Sequence, residues 1–326
     1  MIDEDPGTIV KSLILYITEG AIAATLNIPL MIATLANSSF RVRREYQVII
    51  GICFVDAVFG AAFVLTAVSR LNIIQENFHT GIPQVPRWVC STRYYVQLLT
   101  MAYQLQGVLT LTVATDRLLA VMVPLKYLKF DIQYTVMTLT GPYLFVAVCT
   151  IINVIITMQD DTPVSSFCFT GDAVSPAFYC YMLLLRIGCV TISALTYIVI
   201  AVHMKKHFAR IEKTQVASRE SSQFRSIRRS TITVGLSTVN AVLFLLLPDI
   251  IKYMGIFNYS RSYVTTLYSL SMTNVVLNAF IFAYRHKEIM GSFKHFICIL
   301  LLRVRTEDSK TSDVVCKVVS SRRALE

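Results

Sequence analysis

The residues of this chain with chemistry to offer lie in or at the ends of long apolar runs. Asp56, Asp116, Arg117, Arg186, Asp249 and Lys252 all neighbour stretches of mostly aliphatic and aromatic side chains. Two aspartates, or a serine with a histidine, could cleave a peptide bond inside a membrane, because either pair can activate a nucleophile. The pattern needed is missing. Asp56 and Asp249 fall at different depths of their runs, and none of the five histidines lies in an apolar core. Gly235-Leu236-Ser237 has only a superficial likeness to a nucleophile turn. The His-Glu-x-x-His of a zinc protease is absent. The sequence thus predicts no enzyme, no metal site and no cofactor. An unpaired charge at the centre of a bilayer costs on the order of 2.5–3.5 kcal/mol by insertion scales. These charges must therefore find partners.

The elements that hold them are long helices. Of 326 residues, 55% are hydrophobic and 15% charged, more apolar surface than a soluble domain of this length can hide. A helix needs about 20 residues to cross a bilayer. Seven runs reach that length, near 11–35, 47–69, 92–122, 134–157, 177–203, 231–256 and 262–284. They are continuous rather than alternating, which points away from a membrane barrel. The predicted fold is an all-α membrane protein, a seven-transmembrane helix bundle. The repeats or paired broken helices of many transporters are not evident.

Basic residues orient the bundle. Arg41, Arg43 and Arg44 follow the first run, and Lys126 and Lys129 follow the third. A cluster from Lys205 to Arg229 follows the fifth, and more follow the seventh from Arg285 onward. The opposite loops hold Arg70, Arg87 and Arg261. The richer side should be cytoplasmic, which puts the C-terminus inside and the N-terminus outside. The net charge of +10 then reflects topology and the anionic lipids of the cytoplasmic leaflet, not nucleic acid. The acidic start MIDEDPG lacks the basic region and cleavage site of a signal peptide, so the first run reads as an uncleaved anchor. Asn258-Tyr259-Ser260 is a sequon in an outer loop and predicts a sugar on Asn258, whereas Asn37-Ser38-Ser39 falls on the cytoplasmic side.

Depth and redox compartment pair some of these residues. Cys53, Cys149, Cys180 and Cys189 fall within runs and read as free thiols. Cys298 and Cys316 are cytoplasmic, and Cys298 is a candidate for palmitoylation. Only Cys90 and Cys168 lie on the outer side, which predicts a disulfide. Read as one helix, Cys90 to Arg117 spans about 40 Å, close to the 40–45 Å or so of a bilayer with its headgroups. Arg117 then sits at the inner rim beside Asp116, able to face a cytoplasmic partner. Arg186 lies about 14 Å below the outer end of the fifth run and Asp249 about 12 Å below that of the sixth. Opposite charges at similar depth on neighbouring helices predict an ion pair, with Glu19 and Lys252 as competing partners.

Several of these motifs resemble those of rhodopsin-like G-protein-coupled receptors. Asp116-Arg117 with Pro124-Leu125-Lys126-Tyr127 resembles the end of that family's third helix, and DRLLAVMVPLKY fits it without a gap. Asn278-Ala279-Phe280-Ile281-Phe282, followed by AYRHKEI, resembles the seventh-helix motif and the short amphipathic eighth helix. Asn27 and Asp56 stand where the family has a buried polar pair, and Pro248 matches the sixth-helix proline. The likeness covers roughly residues 20–300. There are departures. Leu246 replaces a tryptophan, Ala279 a proline and Phe282 a tyrosine, and Arg228 sits near a customary glutamate. With this drift, the wording is most similar to nematode serpentine chemoreceptors of the Srsx group.

The resemblance implies a receptor domain over 1–302, eighth helix included, and a disordered cytoplasmic tail over 303–326. It implies a chemosensory receptor of the plasma membrane that binds an extracellular small molecule or short peptide and activates a heterotrimeric G protein. A small-solute transporter is the alternative. Asp116 and Arg117 would form the coupling switch, with Asp116 holding Arg117 at rest. Asn278 and Phe282 would belong to the seventh-helix motif. Asn27, Asp56, Gln106 and Asn274 would join Asn278 in a buried polar network. A sodium ion beside Asp56 is a family property, and Gln106, larger than the family's serine, argues against it. The seventh run has no lysine for retinal, and Leu99 stands where amine receptors carry an aspartate. Tyr95, Leu99, Tyr103, Gln104, Arg186, Asp249 and Lys252, with Tyr253, are the ligand-pocket candidates.

Overall fold

Among the described residues, seven helices are long and apolar enough to cross a membrane. The structure is a computed structural model that describes residues 6–41, 44–77, 81–123, 127, 132–213, 220–254, 261–285 and 290–291. The long helices are α1 (Pro6–Ala36), α2 (Arg44–Glu76), α3 (Tyr94–Met122), α4 (Ile132–Thr157) and α5 (Pro176–Lys213). α6 is built from Glu220–Ala241, a wide π turn over Val242–Leu246, and Leu247–Met254. α7 is Arg261–Arg285.

Lipid gives apolar helices little reason to associate, so close backbone packing and polar contacts must hold them together. Gly20 and Gly60 mark the closest approach of α1 and α2. A Cβ at Gly20 would stand 2.6 Å from the Gly60 carbonyl oxygen, and one at Gly60 would stand 2.7 Å from that of Gly20. Threonines inside the bundle satisfy themselves on their own helices: Thr100, Thr150 and Thr157 each donate to the carbonyl four residues back. That local bond suits a dry interior. The wide turn in α6 immediately precedes the helical section containing Pro248. A proline has no N–H and crowds the carbonyl four residues earlier, here that of Phe244, and the wide turn gives that carbonyl room.

Two features at the disulfide end depart from expectation. Cys90 does not begin the third long helix. It sits on a short helix, Arg87–Ser91, and Arg93 is extended (φ −63°, ψ 128°) before α3 starts at Tyr94. The fold is also not purely helical. β1 (Gln84–Pro86) pairs antiparallel with β2 (Pro163–Ser165) and joins the loops after α2 and α4. Strands of three residues with prolines at their ends carry no readable alternation. The Cys90–Cys168 disulfide (Cα–Cα 5.2 Å) ties the same two loops. The expected eighth helix, apart from residues 290–291, lies outside the described residues, as do the 303–326 tail, Cys298 and Asn258.

Candidate functional site

Arg186 enters the bundle from α5 where Gly107 of α3 leaves room for it; a Cβ at Gly107 would stand 3.0 Å from both Cα and Cγ of the arginine. The guanidinium grips Asp249 of α6 at two points, Nε to Oδ2 and Nη2 to Oδ1, the second at 2.7 Å. Nη1 donates to Gln106 Oε1 (3.3 Å) and Nη2 also to Ser271 Oγ on α7 (3.3 Å). The guanidinium lies 3.4 Å from the centroid of the Tyr103 ring, and the Tyr103 hydroxyl donates to Asp249 Oδ1 at 2.7 Å. Lys252 reaches the same oxygen at 3.4 Å and lies 3.8 Å from the Tyr268 ring centroid. The Arg186 and Asp249 side chains have no exposed surface. A buried ion pair needs this kind of two-point geometry and extra hydrogen bonds to offset desolvation. The cluster thereby ties α3, α5, α6 and α7.

Next to it, toward the disulfide, lies a cavity of about 290 Å³. Tyr16, Phe63, Arg70, Leu99, Tyr179 and Tyr268 line it from the helices, and Phe169 to Asp172 line it from the loop after α4. Tyr268 belongs to both places, since Lys252 lies against its ring. Arg70 holds the loop: Nε donates to the Phe167 carbonyl (2.9 Å), Nη2 to that of Cys168 (3.2 Å), and the guanidinium covers the Phe169 ring. Between those carbonyls Cys168 takes a left-handed φ of 49°, a conformation that L side chains adopt only when held there. Arg87 adds a salt bridge to Asp160 and a bond to the Asp172 carbonyl. Hydrogen bonds from Thr162, and then from Arg87, hold the Asp160 carboxyl below its usual range. This contact is therefore present at neutral pH and is lost only as pH falls through that lowered value.

Of the pocket candidates, only Leu99 lines the cavity. Tyr103, Arg186, Asp249 and Lys252 form the adjoining cluster. Tyr95 and Gln104 belong to neither. Tyr95 is in the first turn of α3 and packs beneath the loop with Cys90, Val164, Cys168 and Ala173. Gln104, about 100° around the helix from Tyr103, turns to α4 and donates to Thr150 Oγ1 (3.3 Å). Tyr253 is exposed on the outside of α6. Glu19 does not compete for the pair; it accepts from Ser269 at 2.5 Å. The sequence reading placed Arg70 in an outer loop and not at a pocket, because the second run was ended at residue 69 whereas α2 continues to Glu76. It also missed Tyr16, Tyr179 and Tyr268, ordinary tyrosines until helix rotation is known.

A polar network fills the middle of the bundle. The Asp56 carboxyl lies beside the amides of Gln106 and Asn278. Asn240, which sequence reading passed over, donates to Asn274 Oδ1 (2.9 Å) and Asn278 Oδ1 (3.1 Å). Ser237, weighed above as part of a nucleophile motif, donates to Asn278 Oδ1 at 2.7 Å. Asn27 stands apart, its amide donating to the Ala23 carbonyl on its own helix. Phe282 packs with Leu30, Phe40, Tyr46 and Cys53. Gln106 accepts from Arg186 on one side and lies near Asp56 on the other, its Nε2 making no hydrogen bond among the described residues, and so stands between the charged cluster and this network.

At the far end of α3, Arg117 Nη2 lies 2.7 Å from Asp116 Oδ2, and the Tyr127 hydroxyl reaches both Asp116 oxygens at 3.2 Å. Arg117 is 2% exposed. Its charge is turned into the protein, where Asp116 meets it.

A family model described as serpentine type 7TM GPCR chemoreceptor Srsx matches residues 21–297. No curated protein matches the chain.

Proposed function

The chain belongs to the Srsx family of serpentine seven-transmembrane chemoreceptors, and from that premise we propose that its cavity binds an extracellular small molecule while the Asp116–Arg117 end couples to a heterotrimeric G protein. The receptor lies in the plasma membrane with its N-terminus outside, as the distribution of basic residues favours. The observation that carries this reading is the shared Tyr268, which lines the cavity and also bears Lys252 of the Arg186–Asp249 cluster. A ligand against Tyr268 touches the group that ties four helices. It can shift the balance between two packings only by its difference in affinity for them. Gln106 continues the contact toward Asp56. A cavity near 290 Å³ is at the small end of ligand pockets, which run about 300–1,000 Å³, and so favours a small molecule over a peptide. Ligand-stimulated nucleotide exchange on a purified G protein tests the proposal. Uptake of the compound into vesicles without exchange would support a transporter instead.

A further inference from the structure

The cavity wall carries a cation that, among the described residues, no carboxylate meets within salt-bridge distance, Asp172 of the same wall acting on it only through space. Arg70 is 5% exposed, yet among the described residues it forms no ion pair. Two loop carbonyls take Nε and Nη2, and Phe169 covers the guanidinium face. Nη1 has no hydrogen-bond partner among the described residues. A buried charge hydrogen-bonded only to neutral carbonyls is costly, and its remaining guanidinium edge fits a carboxylate.

We propose that the cavity takes a small monocarboxylic acid with an apolar or aromatic body, its carboxylate on Arg70. The rest of the wall fits the body: Phe63, Leu99 and the rings of Tyr16 and Tyr268. Asp172, also in the lining, opposes a second negative charge, so dicarboxylates and phosphate esters are disfavoured. At about 30 Å³ per water, the cavity holds on the order of ten waters, which sets the size of the acid. This inference rests on the reading of the cavity as the ligand site.

The test uses the full-length receptor in lipid nanodiscs and reads its melting temperature. Probes are hexanoate and phenylacetate, their primary amides, and the dicarboxylate adipate. The monocarboxylates should raise the melting temperature saturably, and the amides and adipate should not. Arg70→Gln should weaken the acids about 10- to 100-fold, the size of a charge-assisted hydrogen bond. If that variant does not fold, the acid–amide comparison on the unaltered chain decides alone. Amides equal to acids, no shift with either acid, or acid binding unchanged in Arg70→Gln overturns the inference. Leu99→Trp, which fills the cavity, separates the two readings. If amides bind and Leu99→Trp abolishes their effect, the cavity stands and the carboxylate falls. If every probe's effect survives Leu99→Trp, the cavity reading falls as well.

Discussion

Gly107 on α3 and Arg186 on α5 touch backbone to side chain, and any larger residue at 107 meets the arginine at 3.0 Å. Glycine inside a helix is about 1 kcal/mol worse than alanine, and here it makes room for the buried ion pair. Gly107→Val should displace Arg186 from Asp249 and destabilise the receptor by about 1–3 kcal/mol, the usual range for overpacking. Gly107→Ala should do less. Thermal melting and surface expression would check this, and a valine variant that melts like the parent would show that α5 moves freely.

The helices were legible because a bilayer demands length and continuous hydrophobicity, and α1 to α7 supply both. The Arg186–Asp249 contact was legible because opposite charges at one depth have few other partners in lipid. Arg70 was not legible, since α2 continues past its most apolar window to Glu76. Asn240 and Tyr268 were not legible either. A single asparagine or tyrosine has no meaning in a helix until rotation decides which neighbour it faces. The β1–β2 pairing is specified by contact between two loops distant in sequence, which no local pattern records.

The disulfide closes a long stretch of chain, with a sequence separation of 78. The loop-entropy relation assigns such a closure about 4.5 kcal/mol. Cys90→Ser with Cys168→Ser should therefore lower the melting temperature markedly and loosen the loop that Arg70 and Arg87 hold. Ligand affinity should fall with it, while any receptor that reaches the surface keeps the Asp116–Arg117 pair. A double variant with unchanged melting and affinity would mean that the hydrogen bonds suffice without the bond.

Arg117 is buried against Asp116 at the end of α3. If it acts as the coupling residue, Arg117→Ala should abolish nucleotide exchange and leave ligand binding within a few fold of the parent. Surface labelling must first show equal expression. Full exchange at equal expression would leave Arg117 as a structural charge only.

The orientation has its own test. Asn258 begins a sequon between Met254, the end of α6, and Arg261, the start of α7. With the N-terminus outside, glycosidase treatment should shift the mass of the parent chain but not that of Asn258→Gln. An N-terminal epitope should be accessible on intact cells. A sugar on Asn37 instead would invert the topology.

The Arg186–Asp249 pair can be dissected by exchange. Either charge alone, buried with no exposed surface, leaves its partner uncompensated, a loss of about 3–5 kcal/mol for a buried pair. Single reversals, Arg186→Asp or Asp249→Arg, should therefore cut surface expression and response sharply. The double swap restores the opposite charges between α5 and α6, so part of the loss should return. Recovery should be incomplete for three reasons. An arginine at 249 would face Lys252, now 3.4 Å from the carboxylate. It would lose the Tyr103 hydroxyl as a donor to an acid. An aspartate at 186 would be too short to lie over the Tyr103 ring as Arg186 does. Adding Lys252→Gln to the swap removes the first of these and should raise the recovery further. Expression and ligand response of the single, double and triple variants, measured together, give the coupling directly. A double swap no better than the worse single reversal would mean that the two residues contribute independently, despite the two-point contact between them.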